Sequence, residues 1–133
     1  MNKSGTYKAI TNNISVMVVS TYEPDHSRLD KQHFVFSYEI TIDNGSDKSV
    51  QLRSREWYIT DLLAGEHYVQ GEGVVGEQPI LASGESFTYS SWCPLQSSMG
   101  FMKGFFTFID LATDEKFKVK VPKFNFQPGF QKN

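Results

Sequence analysis

Gly71-Glu72-Gly73-Val74-Val75-Gly76 spells G-x-G-x-x-G. In a dinucleotide-binding turn this spacing lets backbone amides close on a pyrophosphate. That chemistry needs a strand before the glycines and a helix after them. His67-Tyr68-Val69-Gln70 supplies a strand, but Pro79 and Gly84 follow closely and Val74-Val75 are stiff, strand-favouring residues. No acidic residue on a second parallel strand about 20 positions on completes the unit. Two readings of the block remain. The glycines mark a bulge or sharp bend where another backbone comes close, or their amides form a nest that cradles an anion without a helix. The bend reading requires positive φ at one or more of Gly71, Gly73 and Gly76, because glycine adopts it without strain.

The other reactive side chains are sparse. Arg53 and Arg55 share one strand, and on one face they would grip a phosphate bidentately, with the glycine amides adding to the grip. The competing reading pairs them with Glu56, Glu72 or Glu77, and surface ion pairs of this kind are common. His26, His33 and His67 lack the tight H-x-x-x-H or C-x-x-C spacing of a metal site, so no metal is assigned to them. Cys93, in Ser91-Trp92-Cys93-Pro94, has no histidine near it in sequence to act as base, which leaves it an inert thiol. No G-x-S-x-G nucleophile elbow occurs. Nothing here assembles a catalytic set, and the expectation is a non-enzyme with no cofactor.

The elements that carry these residues read as strands. Ile14, Val16 and Val18 alternate to about Tyr22, and Phe34, Phe36, Tyr38, Ile40 and Ile42 alternate with Val35, Ser37, Glu39 and Thr41. Asn44-Gly45 is a hairpin signal, and the returning strand begins at Val50 and Leu52. Its alternation slips at Arg53-Ser54-Arg55 and resumes at Trp57, which predicts a β-bulge. A strand with Phe87 and Tyr89 leads into a loop from Trp92 to Ser98. Phe101 to Ile109 is apolar on both faces for much of its length, and Phe117, Val119 and Val121 alternate with lysines. Seven or eight strands with frequent turns and no helical period predict an antiparallel, immunoglobulin- or fibronectin type III-like β-sandwich. Its predicted core includes Phe34, Phe36, Tyr38, Ile40, Val50, Leu52, Phe105 and Val119. Residues 1–12 read as a fraying N-terminus, 13–126 as the sandwich, and 127–133 as a tail.

At 133 residues the chain suits one domain. Thirteen Lys and Arg against 15 Asp and Glu give no basic excess of the kind a nucleic-acid binder shows. No run approaches a membrane span, no signal peptide opens the chain, and a lone cysteine points to a reducing compartment, so a cytoplasmic protein is expected. The 11 Phe, 6 Tyr and 2 Trp exceed what so small a core needs, which suggests an interaction face. Trp57 reads as core; Trp92 and Phe101 read as candidates for a partner-binding surface, with the tail's Phe124, Phe126 and Phe130 adding to the surplus.

Val50-Gln51-Leu52, Arg55-x-Trp57-x-Ile59, Val69 through Gly76, Pro79-x-Leu81 with Gly84-Glu85, Met102-x-Gly104 and Val121-Pro122-Lys123-Phe124 resemble the ApaG family over about residues 14–126. Ser83 stands where that family often has proline. The resemblance implies a fibronectin type III-like sandwich, a link by name to cobalt tolerance and magnesium handling, and no established enzymatic step. Related eukaryotic domains, in an F-box protein and a polymerase-associated protein, look like protein-binding modules. The expected function is therefore a protein-interaction module with an unknown protein partner, monomeric or homodimeric. The alternative is a protein that binds a small anion (phosphate, pyrophosphate or nucleotide) through Arg53, Arg55, Gly71, Gly73 and Gly76, or one linked to a divalent metal.

Overall fold

The computed structural model describes residues 3–128, with side chains from Gly5 onward; Phe130 lies outside them. Among the described residues nine strands run β1 (Lys3–Thr11), β2 (Ile14–Tyr22), β3 (Phe34–Asn44), β4 (Val50–Asp61), β5 (Gly65–Glu72), β6 (Ile80–Leu81), β7 (Ser86–Leu95), β8 (Gly100–Asp110) and β9 (Lys116–Phe126). They form two antiparallel sheets, one ordered β1-β2-β3-β7, the other β5-β4-β8-β9 with β6 also on β4. The predicted sandwich is present. Two single 3₁₀ turns, Pro24–His26 and Leu29–Lys31, interrupt the β2–β3 connection.

Period two builds the core. Ile14, Val16, Val18, Ser20 and Tyr22 face inward from β2, and Phe36, Tyr38, Ile40 and Ile42 from β3. The predicted bulge falls between Leu52 and Ser54, so that Arg53 is the extra residue in β4. A second irregularity in the β8–β9 ladder leaves Val121 and Pro122 both buried. That shift turns Phe124 and Phe126 inward, where both are fully buried. They close a ring cluster with Phe36 (5.0 Å from Phe126), Tyr38 and Trp57 (5.9 Å apart) and Phe106 (5.7 Å from Trp57). Edge-to-face packing of this kind adds about 0.5–1.5 kcal/mol per pair beyond burial. Much of the aromatic surplus is thus spent inside the sandwich.

Four expectations are corrected. Residues 3–11 do not fray: they pair with β2 from Lys3↔Thr21 to Thr11↔Ile14 across a turn in which Asn12 and Asn13 both have positive φ. Among the described side chains of this edge strand Gly5, Tyr7, Ala9 and Thr11 are half-covered and none is buried, so its periodicity is faint. Asn44-Gly45 makes no hairpin, because β3 and β4 belong to different sheets. The Asn44 side chain knots the crossover by donating to the carbonyls of Lys48 (2.7 Å) and Leu81 (3.0 Å). Phe105 lies on the outer face, half-buried beneath the Lys118 ammonium at 5.5 Å, while Met102, Gly104, Phe106 and Phe108 supply the inner row. Trp92 is strand rather than loop, since β7 continues to Leu95.

One side of the sandwich is closed and the other is open. β1 and β2 meet β9, helped by the Ser20 hydroxyl on the Asn125 carbonyl (3.0 Å) and the Lys120 amide on the Thr11 hydroxyl (3.2 Å). On the opposite side β7 faces β4, and β5 overhangs beyond it with nearly every residue exposed.

Gly104 sets how closely β8 approaches β4. A Cβ there would overlap the Glu56 carbonyl oxygen and lie 2.9 Å from Trp57 Cε3. Gly104→Ala is expected to lower stability by about 1–3 kcal/mol in denaturant unfolding, as overpacking does; an unchanged midpoint would contradict this packing.

Candidate functional site

The glycine block is a bend built from three differently used glycines. Gly71 has no positive φ; it pairs with Arg55, and a Cβ on it would meet the Arg55 guanidinium at 2.9–3.0 Å. Gly73 has φ +65, and a Cβ there would overlap the Glu77 carbonyl. Gly76, at φ +81, faces open space. Val74 and Glu77 exchange hydrogen bonds of 2.8 and 2.9 Å across Val75 and Gly76, both at positive φ. This is a primed two-residue turn. Val75 occupies a position usually taken by Asn, Asp or Gly, at φ +42, where a β-branched side chain is strained. Val74 is fully buried beside it and plugs the end of the core.

Arg55 spans this bend. Its Nη1 donates to the carbonyls of Glu72 (3.1 Å) and Gly73 (2.9 Å), while the Gly73 amide donates to the Arg53 carbonyl (2.8 Å). The bulge at Arg53 breaks the period-two relation that would put both arginines on one face. Among the described residues neither arginine pairs with Glu56, Glu72 or Glu77; Glu56 instead meets Lys118 at 2.9 Å. The guanidinium faces carbonyls here, and the amides of Gly73, Val74 and Glu77 are already donated within the chain.

Arg55 also lines the open side of the sandwich. A groove of about 420 Å³ runs there between β4 with the inner row of β5 (Arg55, Trp57, Ile59; His67, Val69) and the successive β7 residues Ser91 to Leu95, with Gln96 after them. Asp61 closes one end. Its carboxylate accepts from the amides of Gln96 (2.6 Å) and Leu63 (3.0 Å). Burial pushes its pKa up, but these amides outweigh it and hold the carboxyl below its ordinary value. Toward the other end lie two phenols. Burial raises Tyr38, opposed by a hydrogen bond with Ser91. Tyr89 is raised further by burial, with Tyr38 adding to the shift and Arg55 opposing it. The Tyr89 hydroxyl is buried and has no hydrogen-bond partner among the described residues.

The remaining candidates do not converge. Burial, with the Asp61 charge second, pushes the Cys93 thiol up to about 12, so it is protonated at neutral pH and no nucleophile. His26 packs edge-on to the Trp92 ring at 5.0 Å, and no three His, Cys, Asp or Glu side chains cluster as a metal site among the described residues. No helix among them is long and apolar enough to cross a membrane. Trp92 projects from the outer face of the β7 sheet, 52 % exposed. Phe101 lies on the outer face of the other sheet under the Lys123 ammonium at 4.1 Å, so the two partner-binding candidates are not brought together. The groove itself was not predicted: it depends on β5 overhanging β7, a long-range arrangement with no local sequence signal.

An antiparallel two-sheet sandwich with one open side defines an immunoglobulin- or fibronectin type III-like domain. The ApaG domain model matches residues 24–110. The chain is 42 % identical to protein ApaG of Bradyrhizobium diazoefficiens over 119 residues, 90 % of this chain and 91 % of that protein. It is 44 % identical to protein ApaG of Mesorhizobium japonicum over 124 residues, 92 % and 95 % of the two chains. The crystal structure of the ApaA protein from Bordetella pertussis superposes with a TM-score of 0.85 at 34 % identity, covering 92 % of this chain and 99 % of that one. The chain belongs to the ApaG family, and the relatives' names carry no reaction.

The geometry of the bend gives opposite signs for two neighbouring substitutions. Val75→Asn is expected to raise stability by about 1 kcal/mol by relieving left-handed strain. Gly73→Ala is expected to cost clearly more than the ~1 kcal/mol of Gly76→Ala, because it adds a backbone clash to the positive φ. Denaturant midpoints check both; equal costs at the two glycines, or no gain at Val75, would contradict the account.

Proposed function

We propose that this protein is a non-enzymatic, cytoplasmic interaction module that holds a protein partner in the groove between β7 and the overhanging β4–β5 hairpin. The observation that carries the proposal is the groove itself. Its volume of about 420 Å³ falls in the size range of ligand sites, and it joins apolar walls from Trp57, Ile59 and Val69 to a few polar groups at fixed positions, chiefly Arg55 and His67. A folded domain ordinarily covers an inner sheet row; here Val69 stays 38 % exposed opposite the buried Trp57. Apolar area left open and rimmed by polar residues is characteristic of interaction sites. The buried, protonated Cys93 is compatible with a reducing compartment.

The test compares two charge insertions. Val69→Asp puts a carboxylate in the groove, and Ile10→Asp puts one on β1, where Ile10 is 65 % exposed. A partner captured by the immobilised wild-type chain should be lost with Val69→Asp and kept with Ile10→Asp. Capture indifferent to both would refute the groove. Phosphate, pyrophosphate or nucleotide shifting the amide resonances of Gly71, Gly73 and Gly76, in a way abolished by Arg53→Ala, would replace this reading with the small-anion one.

A further inference from the structure

We infer that the groove takes its partner as an added β-strand: an extended, acidic segment of another protein pairs with the free edge of β7. The inference rests on the groove being the binding site and specifies how it binds. The ladder register gives the hydrogen-bonding parity of that edge. In an antiparallel pair, residues alternate between those that bond across the ladder and those whose N–H and C=O point away. The Val35 amide donates to the Ser27 hydroxyl (2.9 Å), and its carbonyl accepts from the Glu23 amide (2.9 Å). Both groups therefore point away from β7, and Val35↔Pro94 is a pair without ladder hydrogen bonds. Alternation along β7 then turns the N–H and C=O of Ser86, Thr88, Ser90 and Trp92 outward.

The two ends of this edge are closed. At Pro94 the same parity explains why proline is tolerated, since no ladder N–H is required there. Two residues further, the Gln96 amide is occupied by Asp61 at 2.6 Å. Between Ser86 and Pro94, the outward amides of Thr88, Ser90 and Trp92 have no partner among the described residues. Exposed edges are usually blunted by charge, proline or a covering element. Here the blunting begins at Pro94, and Ser86 to Trp92 carries no charged side chain.

Charge selects the occupant. Asp61 has both carboxylate oxygens engaged by amides, so the basic side chains of the groove are left unmatched: Arg55, which uses Nη1 alone on the bend, and His67. A segment carrying a carboxylate complements them. Strand side chains alternate, so groove-facing residues of the segment lie two apart. Arg55 neighbours Tyr89, whereas Asp61 meets Gln96 at the far end. Cross-strand partners share a face, so the carboxylate belongs opposite the inward-facing Tyr89 and an apolar residue opposite Ser91, over Trp57, Ile59 and Val69. A stretch of about seven residues spans the free edge from Ser86 to Trp92.

The probe is a displayed library of random twelve-residue peptides, selected against the whole chain. Ser90→Pro removes one outward N–H at the parity where Pro94 already sits, and it should leave the melting temperature nearly unchanged. Selected peptides should share an acidic residue two positions from a branched or aromatic one. Their affinity should fall at least tenfold with Ser90→Pro, and binding should slow amide exchange at Thr88, Ser90 and Trp92 in the wild-type chain. Should Ser90→Pro fail to fold, the exchange pattern decides alone. Peptides that bind, are lost with Val69→Asp, and leave the β7 amides unprotected would overturn strand addition while the groove stands. Selection of nothing above background would overturn both. A concentration-dependent dimer of the chain that dissociates with Ser90→Pro would assign the edge to a second copy and overturn the acidic partner.

Discussion

The Arg55 guanidinium, laid across Gly71 and bonded to two carbonyls of the glycine bend, is the contact on which the open side of this sandwich depends. β5 has no sheet over it and little apolar area to bury, so hydrophobic burial does little to hold it. Its attachment is the ladder to β4 plus this charged clamp at the end where the chain turns away. A hydrogen bond to a charged donor is worth about 1.5–3 kcal/mol, a large share of what a two-stranded overhang can muster. Gly71 follows from the clamp, because any side chain there would displace the guanidinium. Gly73 and Gly76 follow from the bend that brings the carbonyls round to it.

This arrangement explains how a G-x-G-x-x-G sequence arises in a protein with no helix behind it. In a dinucleotide fold the glycines allow a phosphate to approach amides. Here they allow an arginine to approach carbonyls, which is the opposite polarity. Val75 retains strain at the tip of the turn. Val74 beside it anchors the bend in the core, so strain and burial alternate along adjacent residues.

The sequence was readable where a pattern is local. The alternation of β2 and β3, the slip at Arg53 and the bend at the glycines are each written in consecutive residues, and each is present. β1 was missed because an edge strand with one half-covered face has hardly any alternation to read. Phe105 and Phe106 exchanged roles because β8 is apolar on both faces, and only pairing with Lys118 and Lys120 on β9 separates outside from inside. Asn44-Gly45 misled because the turn residues that make a hairpin also make a crossover; the Asn44 side-chain bonds to Lys48 and Leu81, the latter distant in sequence, decide between them. The groove was illegible for the same reason at larger scale, since it exists only between a strand in one sheet and an overhang in the other. Arg55, a candidate for anion binding by its residue type, lies at the groove with its guanidinium on the carbonyls of the bend.

The most direct test of the clamp is native-state amide exchange on Arg55→Lys, which keeps the charge and loses the planar fork. If the clamp holds the overhang, exchange at Gly73 and along β5 should quicken about tenfold, corresponding to ~1.4 kcal/mol. Amides in β8 and β9 should be unaffected. A uniform acceleration across both sheets, or none in β5, would contradict the claim that Arg55 fastens the open side of the sandwich.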